Sequence, residues 1–299
     1  MEAKSESECI VEPSKYRRML ELFTPGRGTM MPGAHNALSA RIMEAAGFET
    51  VLFTGAGFAN TYLGVPDMGL TSLKEVVDQV AAISDAIDIP ILADGDTGFG
   101  NALNARRTVR MMERAGASAL LIEDQVYPKR CGHFEDKSVI PKSEMVQKLK
   151  AAVDARQTGM LILARTDARA MEGLDAAIDR ARAYSEAGAD LLFIEAPQSM
   201  EELARIPREV PGRHLCNMVY GGKTPIPSQQ ALAKMGYAVI CYANAALQAS
   251  MLAMRDVMKH LKTHGSLEGV EAAVIPFDDR QKFVDYARYV ELEKKYRGA

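Results

Sequence analysis

The 299-residue sequence predicts an α/β protein, a (β/α)8 barrel of TIM type, on three observations. Eight short β-type runs alternate with longer stretches of helical periodicity, the pattern of βα units around a parallel sheet. Several helical stretches end in a glycine directly before the next strand: Ala115-Gly116-Ala117, Ala187-Gly188-Ala189 and Met235-Gly236-Tyr237. Glycine is the expected stop just past the last helical turn. Four or five successive strands finish on a polar or charged residue, which describes a ring of functional groups around one barrel mouth. A doubly wound open sheet is the alternative architecture for the same alternation.

In chain order the candidate strands are Gly28–Pro32, Thr50–Thr54, Ile89–Ala93, Ala119–Glu123, Met160–Arg165, Leu191–Glu195, His214–Asn217 and Ala238–Cys241. Helical patterns lie between them, as at Asn101–Ala115, Lys142–Arg156, Leu174–Ala187 and Met200–Ile206. Beyond Asn244 the periodicity predicts a helix to about His264, then a charged helical tail from Asp278 to Tyr296. No linker divides the chain, so residues 1–299 read as one barrel domain with a C-terminal helical segment over 245–299.

Composition narrows the function. A net charge of −3 with no basic stripe argues against a nucleic-acid partner. No run is long enough to span a membrane, and the polar, acidic stretch Met1–Pro13 has no apolar core of a signal peptide. Cys9, Cys131, Cys216 and Cys241 form no CxxC pair, so a reducing cytoplasm is the simplest compartment. No shared metal site is assigned to the five histidines.

The chemistry concentrates in a few segments. Lys129-Arg130-Cys131-Gly132-His133 sets a thiol among cations, and neighbouring positive charge lowers a thiol pKa and makes it reactive. Ile91-Leu92-Ala93-Asp94-Gly95-Asp96-Thr97-Gly98 is a strand running into two acids that share one side. Two converging carboxylates call for a hard cation such as Mg²⁺ or Mn²⁺. The plainer reading of Asp96 or Thr97 is a helix N-cap. Glu123-Asp124 can add a metal contact or cap a helix, and Asp67 alone reads as a turn residue. Arg165, at the end of its strand, carries a fork of donors suited to a carboxylate. Glu195 and Asn217 end the next two strands, while His35 and Asn36 read as helix-cap or supporting residues.

These residues resemble the isocitrate lyase/phosphoenolpyruvate (PEP) mutase superfamily across nearly the whole chain. The resemblance rests on Gly64-Val65-Pro66-Asp67, Asp94-Gly95-Asp96-Thr97-Gly98-Phe99-Gly100, Ile122-Glu123-Asp124-Gln125, Lys129-Arg130-Cys131-Gly132-His133 and Ala164-Arg165-Thr166-Asp167-Ala168. It points to the short-lyase branch, which contains 2,3-dimethylmalate lyase, 2-methylisocitrate lyase and petal death protein. The resemblance implies a barrel whose last helix is exchanged between subunits, giving a homotetramer built from two dimers. It implies a Mg²⁺ site (Mn²⁺ being possible) on Asp94, with Asp67, Asp96 and Glu123 mostly contacting through water.

The same resemblance implies that Thr54, Gly55, Ala56 and Arg165 hold the oxo-acid half of a di- or tricarboxylate substrate. Gly132, His133, Glu195 and Asn217 would surround the departing carboxylate. Cys131, Arg165, Glu123 and His133 are carried over as the catalytic set, with Cys131 the general acid on a mobile lid. The implied reaction is retro-aldol (retro-Claisen-like) cleavage of a 2-hydroxy diacid.

Val219 and Gly221-Gly222 depart from the methylisocitrate pattern and favour a 2-alkylmalate such as 2,3-dimethylmalate, giving pyruvate and propionate. Tyr220 and Tyr242-Ala243-Asn244-Ala245 depart from both branches. The alternatives, in descending order, are 2-methylisocitrate cleavage to pyruvate and succinate, oxaloacetate hydrolysis or phosphonate-bond chemistry, and a non-catalytic carboxylate-binding barrel.

Overall fold

The computed structural model describes residues 14–130, 132 and 137–297. The stretch Met1–Pro13, with Cys9, and the residues Cys131 and His133 lie outside the described residues. The element order is α1 (Lys15–Leu22), β1 (Thr29–Ala34), α2 (Ala37–Ala45), β2 (Val51–Phe53), α3 (Gly55–Phe58), α4 (Leu73–Ala86) and β3 (Ile91–Asp94). Then follow α5 (Ala102–Arg114), β4 (Ala119–Glu123), α6 (Lys142–Ala155), β5 (Leu161–Thr166), α7 (Arg169–Glu172), α8 (Leu174–Glu186) and β6 (Leu191–Ile194). The chain ends with α9 (Met200–Glu209), β7 (His214–Asn217), α10 (Gln229–Met235), β8 (Val239–Tyr242), α11 (Ala245–His264), α12 (Phe277–Phe283) and α13 (Tyr286–Tyr296).

All eight strands pair in parallel and in sequence order, and β8 closes on β1 through Thr29↔Val239 to Pro32↔Tyr242. The closed barrel is therefore the fold, and the open sheet is excluded.

Two-residue periodicity organises the rest. Leu52, Leu92, Ala119, Leu121, Leu161, Leu163, Leu191, Phe193, Leu215, Val239 and Cys241 share one cluster, the inside of the barrel. Their alternates, including Val51, Phe53, Ile91, Ala93, Leu120, Ile122, Ile162, Ala164, Leu192 and Ile194, belong to the layer under the helices. Met19, Leu22 and Phe23 from α1 and its end join the inner cluster and fill the barrel floor. Continuing the inward register by one step past each strand gives Thr54, Glu195 and Ala243, and within the strands it gives Asp94, Glu123, Arg165 and Asn217. Strand parity alone thus sends these side chains to the mouth.

Helix boundaries follow local signals. Ser72 and Glu75 form a capping box on α4, and Asn36 caps α2 through the Ser39 backbone N–H. Gly116, Gly188 and Gly236 all take positive φ after their helices, as the sequence indicates.

β1 and β3 begin and end one or two residues later than the expected Gly28–Pro32 and Ile89–Ala93, and two helical boundaries also differ. The C-terminal tail is two helices, broken where Asp285 adopts φ 57°, a left-handed turn that an aspartate tolerates. α9 runs on through Pro207 to Glu209 rather than ending at Ile206. No helix among the described residues is long and apolar enough to cross a membrane.

Candidate active site

The C-terminal ends of the strands enclose a cavity lined by Thr54, Ala56, Asp67, Asp94, Gly132, Arg165, Glu195 and Asn217, with Val219, Ala243 and Asn244 on one wall. Its volume is about 50 Å³. Small-ligand pockets commonly measure roughly 300 Å³ or more, so the cavity is tight for a ligand. Gly132 is the roof.

Arg165 is the hub. Its Nε lies 2.9 Å from Asp167 Oδ2, its Nη2 3.1 Å from Glu195 Oε2, and its Nη1 3.4 Å from Glu123 Oε2. The guanidinium carbon stands 5.3 Å over the ring of Phe193, its register partner on β6. Burial works against this charge, but Asp167, Glu195 and Glu123 hold the guanidinium firmly protonated. The same contacts act on the acids. Burial would raise Asp167, yet Arg165 and Lys137 hold it below the usual carboxylate range. For Glu123 burial dominates and raises its pKa despite Arg165.

On the opposite arc, Asp94 accepts from the Gly55 N–H at 3.1 Å and from the Asp96 N–H at 3.0 Å. Asp96 adopts φ 47°, and its carbonyl accepts from the Glu123 N–H at 2.8 Å, which locks the turn after β3 to β4. Lys129 Nζ reaches down between Asp67 Oδ1 at 2.5 Å and Asp96 Oδ1 at 2.7 Å. Burial raises Asp96 to about 6, with Lys129 opposing and Asp94 and Asp67 reinforcing the rise.

The segment that carries Gly132 is stapled in three places. Gln125 exchanges two hydrogen bonds with the Arg130 backbone, at 2.8 and 2.9 Å. Lys129 holds the two aspartates. Lys137 Nζ donates to Gly132 O at 2.5 Å and to Asp167 Oδ1 at 2.6 Å, so it ties the roof to the partner of Arg165. Gly132 needs to be glycine: a Cβ there would lie 2.4 Å from Arg165 Nη2 and 2.6 Å from Glu195 Cδ.

The donor chemistry fits a hard divalent cation. Asp67, Asp94, Asp96, Glu123, Asp167 and Glu195 are six carboxylates, and among the described residues Lys129, Lys137 and Arg165 pair directly with five of them. Glu123 Oε1 is buried without a hydrogen-bond partner, and Asp96 Oδ1 has the Lys129 charge nearby but no hydrogen-bond geometry. Unpaired buried carboxylate oxygens are costly unless a cation or water serves them. As placed, no three acids among the described residues converge on one ion, because Lys129 fills the space between Asp67 and Asp96.

Of the residues singled out from sequence, Thr54, Gly55, Ala56, Asp67, Asp94, Asp96, Glu123, Gly132, Arg165, Glu195 and Asn217 stand together at or just beneath this mouth. Cys131 and His133 flank Gly132 in sequence but are not among the described residues.

Several assignments change. Asp124 is no metal ligand: it accepts from Tyr184 OH at 2.8 Å and the Asp167 N–H at 3.0 Å, and pairs with Arg180. It braces the barrel wall. Asp96 and Thr97 cap nothing, since Asn101 caps α5. Asp67 lies in the expected bend and is also a buried ion-pair partner of Lys129. His260 and His264 stand four apart on α11 with rings stacked at 4.3 Å, but ring nitrogens of both contact backbone carbonyls.

Sequence reasoning gives no role to Lys137, nor to Gln125 and Asn244 within the segments quoted above. Lys137 lies outside any motif, and Asn244 falls one residue past the inward register of β8.

The comparisons with known proteins give the family of the whole barrel. The phosphoenolpyruvate phosphomutase family model matches residues 19–262. The chain belongs to the PEP mutase/isocitrate lyase superfamily. It is 41% identical over 280 residues to 2,3-dimethylmalate lyase of Eubacterium barkeri, covering 93% of this chain and 97% of that protein. It is 40% identical to 2-methylisocitrate lyase of Vibrio cholerae, covering 94% and 92%. Among solved structures, oxaloacetate acetylhydrolase with 3,3-difluorooxalacetate matches with TM-score 0.91 at 28% identity, over 96% of this chain and 98% of that one. Within the superfamily the chain is a lyase.

Proposed function

We propose that this protein is a divalent-metal-dependent carbon–carbon lyase that cleaves a 2-hydroxy diacid, with 2,3-dimethylmalate, giving pyruvate and propionate, as the favoured substrate. The observation that carries the reading is Arg165, held by three buried carboxylates directly beneath Gly132. A fork fixed in this way is preorganised for the oxygen that gains charge as the bond breaks.

Asp94, with Asp67, Asp96 and Glu123, would hold Mg²⁺ or Mn²⁺, which supplies Lewis-acid polarisation of the substrate hydroxyl and oxo-acid oxygens when bound. Thr54, Gly55, Ala56 and Arg165 orient the oxo-acid half. The hydroxyl proton leaves, the C2–O bond becomes a carbonyl, and the C2–C3 electron pair moves to C3 and into its carboxylate. Gly132, His133, Glu195 and Asn217 surround that carboxylate. The Cys131 Sγ–H proton then goes to C3, and the thiolate is reprotonated with the proton the hydroxyl gave up. Lys129, Arg130 and His133 tune the thiol.

The small closed cavity supports a lid that opens for exchange. α11 exposes Met251, Leu252, Met254 and Met258 while burying only Leu247 and Val257, which supports exchange of this helix with a second copy in a homotetramer. The free buried thiols Cys216 and Cys241 accord with a reducing, cytoplasmic setting.

The runner-up, 2-methylisocitrate cleavage to pyruvate and succinate, must place a third carboxylate near Val219, whose side chain offers no hydrogen bond. The test is pyruvate release with Mg²⁺ from both acids side by side, with oxaloacetate and phosphonopyruvate included. Preference for dimethylmalate supports the reading. Preference for methylisocitrate overturns the substrate, and turnover of neither diacid overturns the lyase assignment.

A further inference from the structure

The wall of the cavity formed by β7 and β8 differs from the rest of the mouth. Its side chains are Asn217, Val219, Ala243 and Asn244, all neutral, whereas β2 to β6 contribute the acids and Arg165. Asn244 stands at the N-cap of α11, yet its side chain caps nothing. Its Oδ1 is buried without a hydrogen-bond partner, and so is that of Asn217. An N-cap asparagine ordinarily accepts from the first helical turn, so this carboxamide has forgone its common structural role and faces the cavity instead.

The turn that carries Asn244 is fixed. β1 passes so close that a Cβ on Gly33 would lie 1.9 Å from Ala243 O. Neither Nδ2–H group of Asn217 or Asn244 donates to a partner among the described residues, and two amides with unused donors, set in the cavity beside the apolar Val219 and Ala243, suit a carboxylate carried on an alkyl-substituted carbon. Amide N–H groups donate to such a carboxylate without adding charge to the site.

We propose that Asn244 is a specificity-determining residue: its Nδ2–H group, beside that of Asn217, binds the substrate carboxylate that is not part of the oxo acid. This assignment rests on the lyase reading above. It gives the site a second, neutral way to grip a distal carboxylate where residue 219 has no hydroxyl.

The experiment compares wild type with Asn244→Asp, which changes one atom and adds a charge, and with Asn244→Leu. Three quantities are read: kcat and KM for 2,3-dimethylmalate, the inhibition constant of oxalate as a mimic of the oxo-acid half, and relative turnover of the analogue whose distal carboxylate is a carboxamide. Expected is a KM rise of ~100-fold for Asn244→Asp and ~10-fold for Asn244→Leu, with kcat and oxalate inhibition changing less than about threefold. Asn244→Asp should also shift preference toward the carboxamide analogue.

Unchanged KM in both variants overturns the assignment. So does an oxalate constant that rises in step with KM, since the defect would then not be confined to the distal end. A wild-type enzyme that cleaves no 2-hydroxy diacid overturns the lyase reading instead, and that control separates the two failures.

Discussion

Lys129 Nζ lies 2.7 Å from Asp96 Oδ1, so the segment that brings the roof over the barrel also delivers a cation into the acidic arc. Burial penalises that ammonium, but Asp96 and Asp67 outweigh it and keep it charged. The lysine and the proposed divalent cation would serve the same carboxylates.

Removing that charge should make the acids depend on metal. In Lys129→Met, Asp67 and Asp96 lose their partner in a buried place, a situation that costs on the order of 3–5 kcal/mol. The melting temperature in EDTA should fall by several degrees or more. Mg²⁺ should then restore more stability in the variant than it adds to wild type, because ligand binding to the folded state stabilises by mass action. Absence of any Mg²⁺ response in either protein would count against the cation site.

Arg165 separates charge from shape. Arg165→Lys keeps one positive charge among Glu123, Asp167 and Glu195 but loses the planar fork. Turnover should fall by about 100-fold or more, with a smaller stability loss than in Arg165→Met, where three buried carboxylates lose a shared partner. Equal melting temperatures for the two variants would contradict the hub role.

Gly132→Ala places a methyl group against two groups that cannot retreat, Arg165 Nη2 and the Glu195 carboxyl. The barrel core is untouched, so the melting temperature should stay within a few degrees. Failure of the roof to seat should lower kcat/KM by at least ~10-fold. Wild-type kinetics would show that closure does not require this approach.

His214 contributes to the pH dependence of stability. It is fully buried, its Nε2–H donates to Val210 O at 2.6 Å, and its Nδ1 has no partner. Burial lowers its pKa below the ordinary 6.5, and the Val210 contact only partly opposes this. The unfolded chain takes up a proton near pH 6.5 while the folded one does not. This contribution is therefore complete above that pH and is lost as pH falls toward the folded value, at no more than ~1.4 kcal/mol per pH unit. His214→Gln keeps an N–H donor without titrating. Its loss of stability between pH 7.5 and 5.5 should be smaller than that of wild type, measured by chemical denaturation. An equal loss in both would assign the slope elsewhere.

The barrel and most of its mouth were legible because strand parity is a local rule. Leu163 faces inward, so Arg165 does; Phe193 faces inward, so Glu195 does. The sheet's closure needed no more than eight matched strands. What stayed hidden depends on chain segments meeting across the mouth. Lys137 reaches Asp167 from a separate element. Asp124 looks like an extension of Glu123, yet parity turns it outward to Tyr184 and Arg180. Asn244 follows a turn, where two-residue periodicity no longer says which way a side chain points. The break of the tail at Asp285 rests on a single left-handed residue within a continuous polar pattern.

The most direct measurement runs the reaction with Mg²⁺ and 2,3-dimethylmalate in D₂O and follows products by NMR for wild type and Cys131→Ser. The account predicts pyruvate and propionate in equal amounts, one deuterium at C2 of the propionate, and turnover lowered by orders of magnitude in the variant. Cleavage by Cys131→Ser at the wild-type rate would remove the thiol from the acid role. Intact dimethylmalate after prolonged incubation with wild type would contradict the account itself.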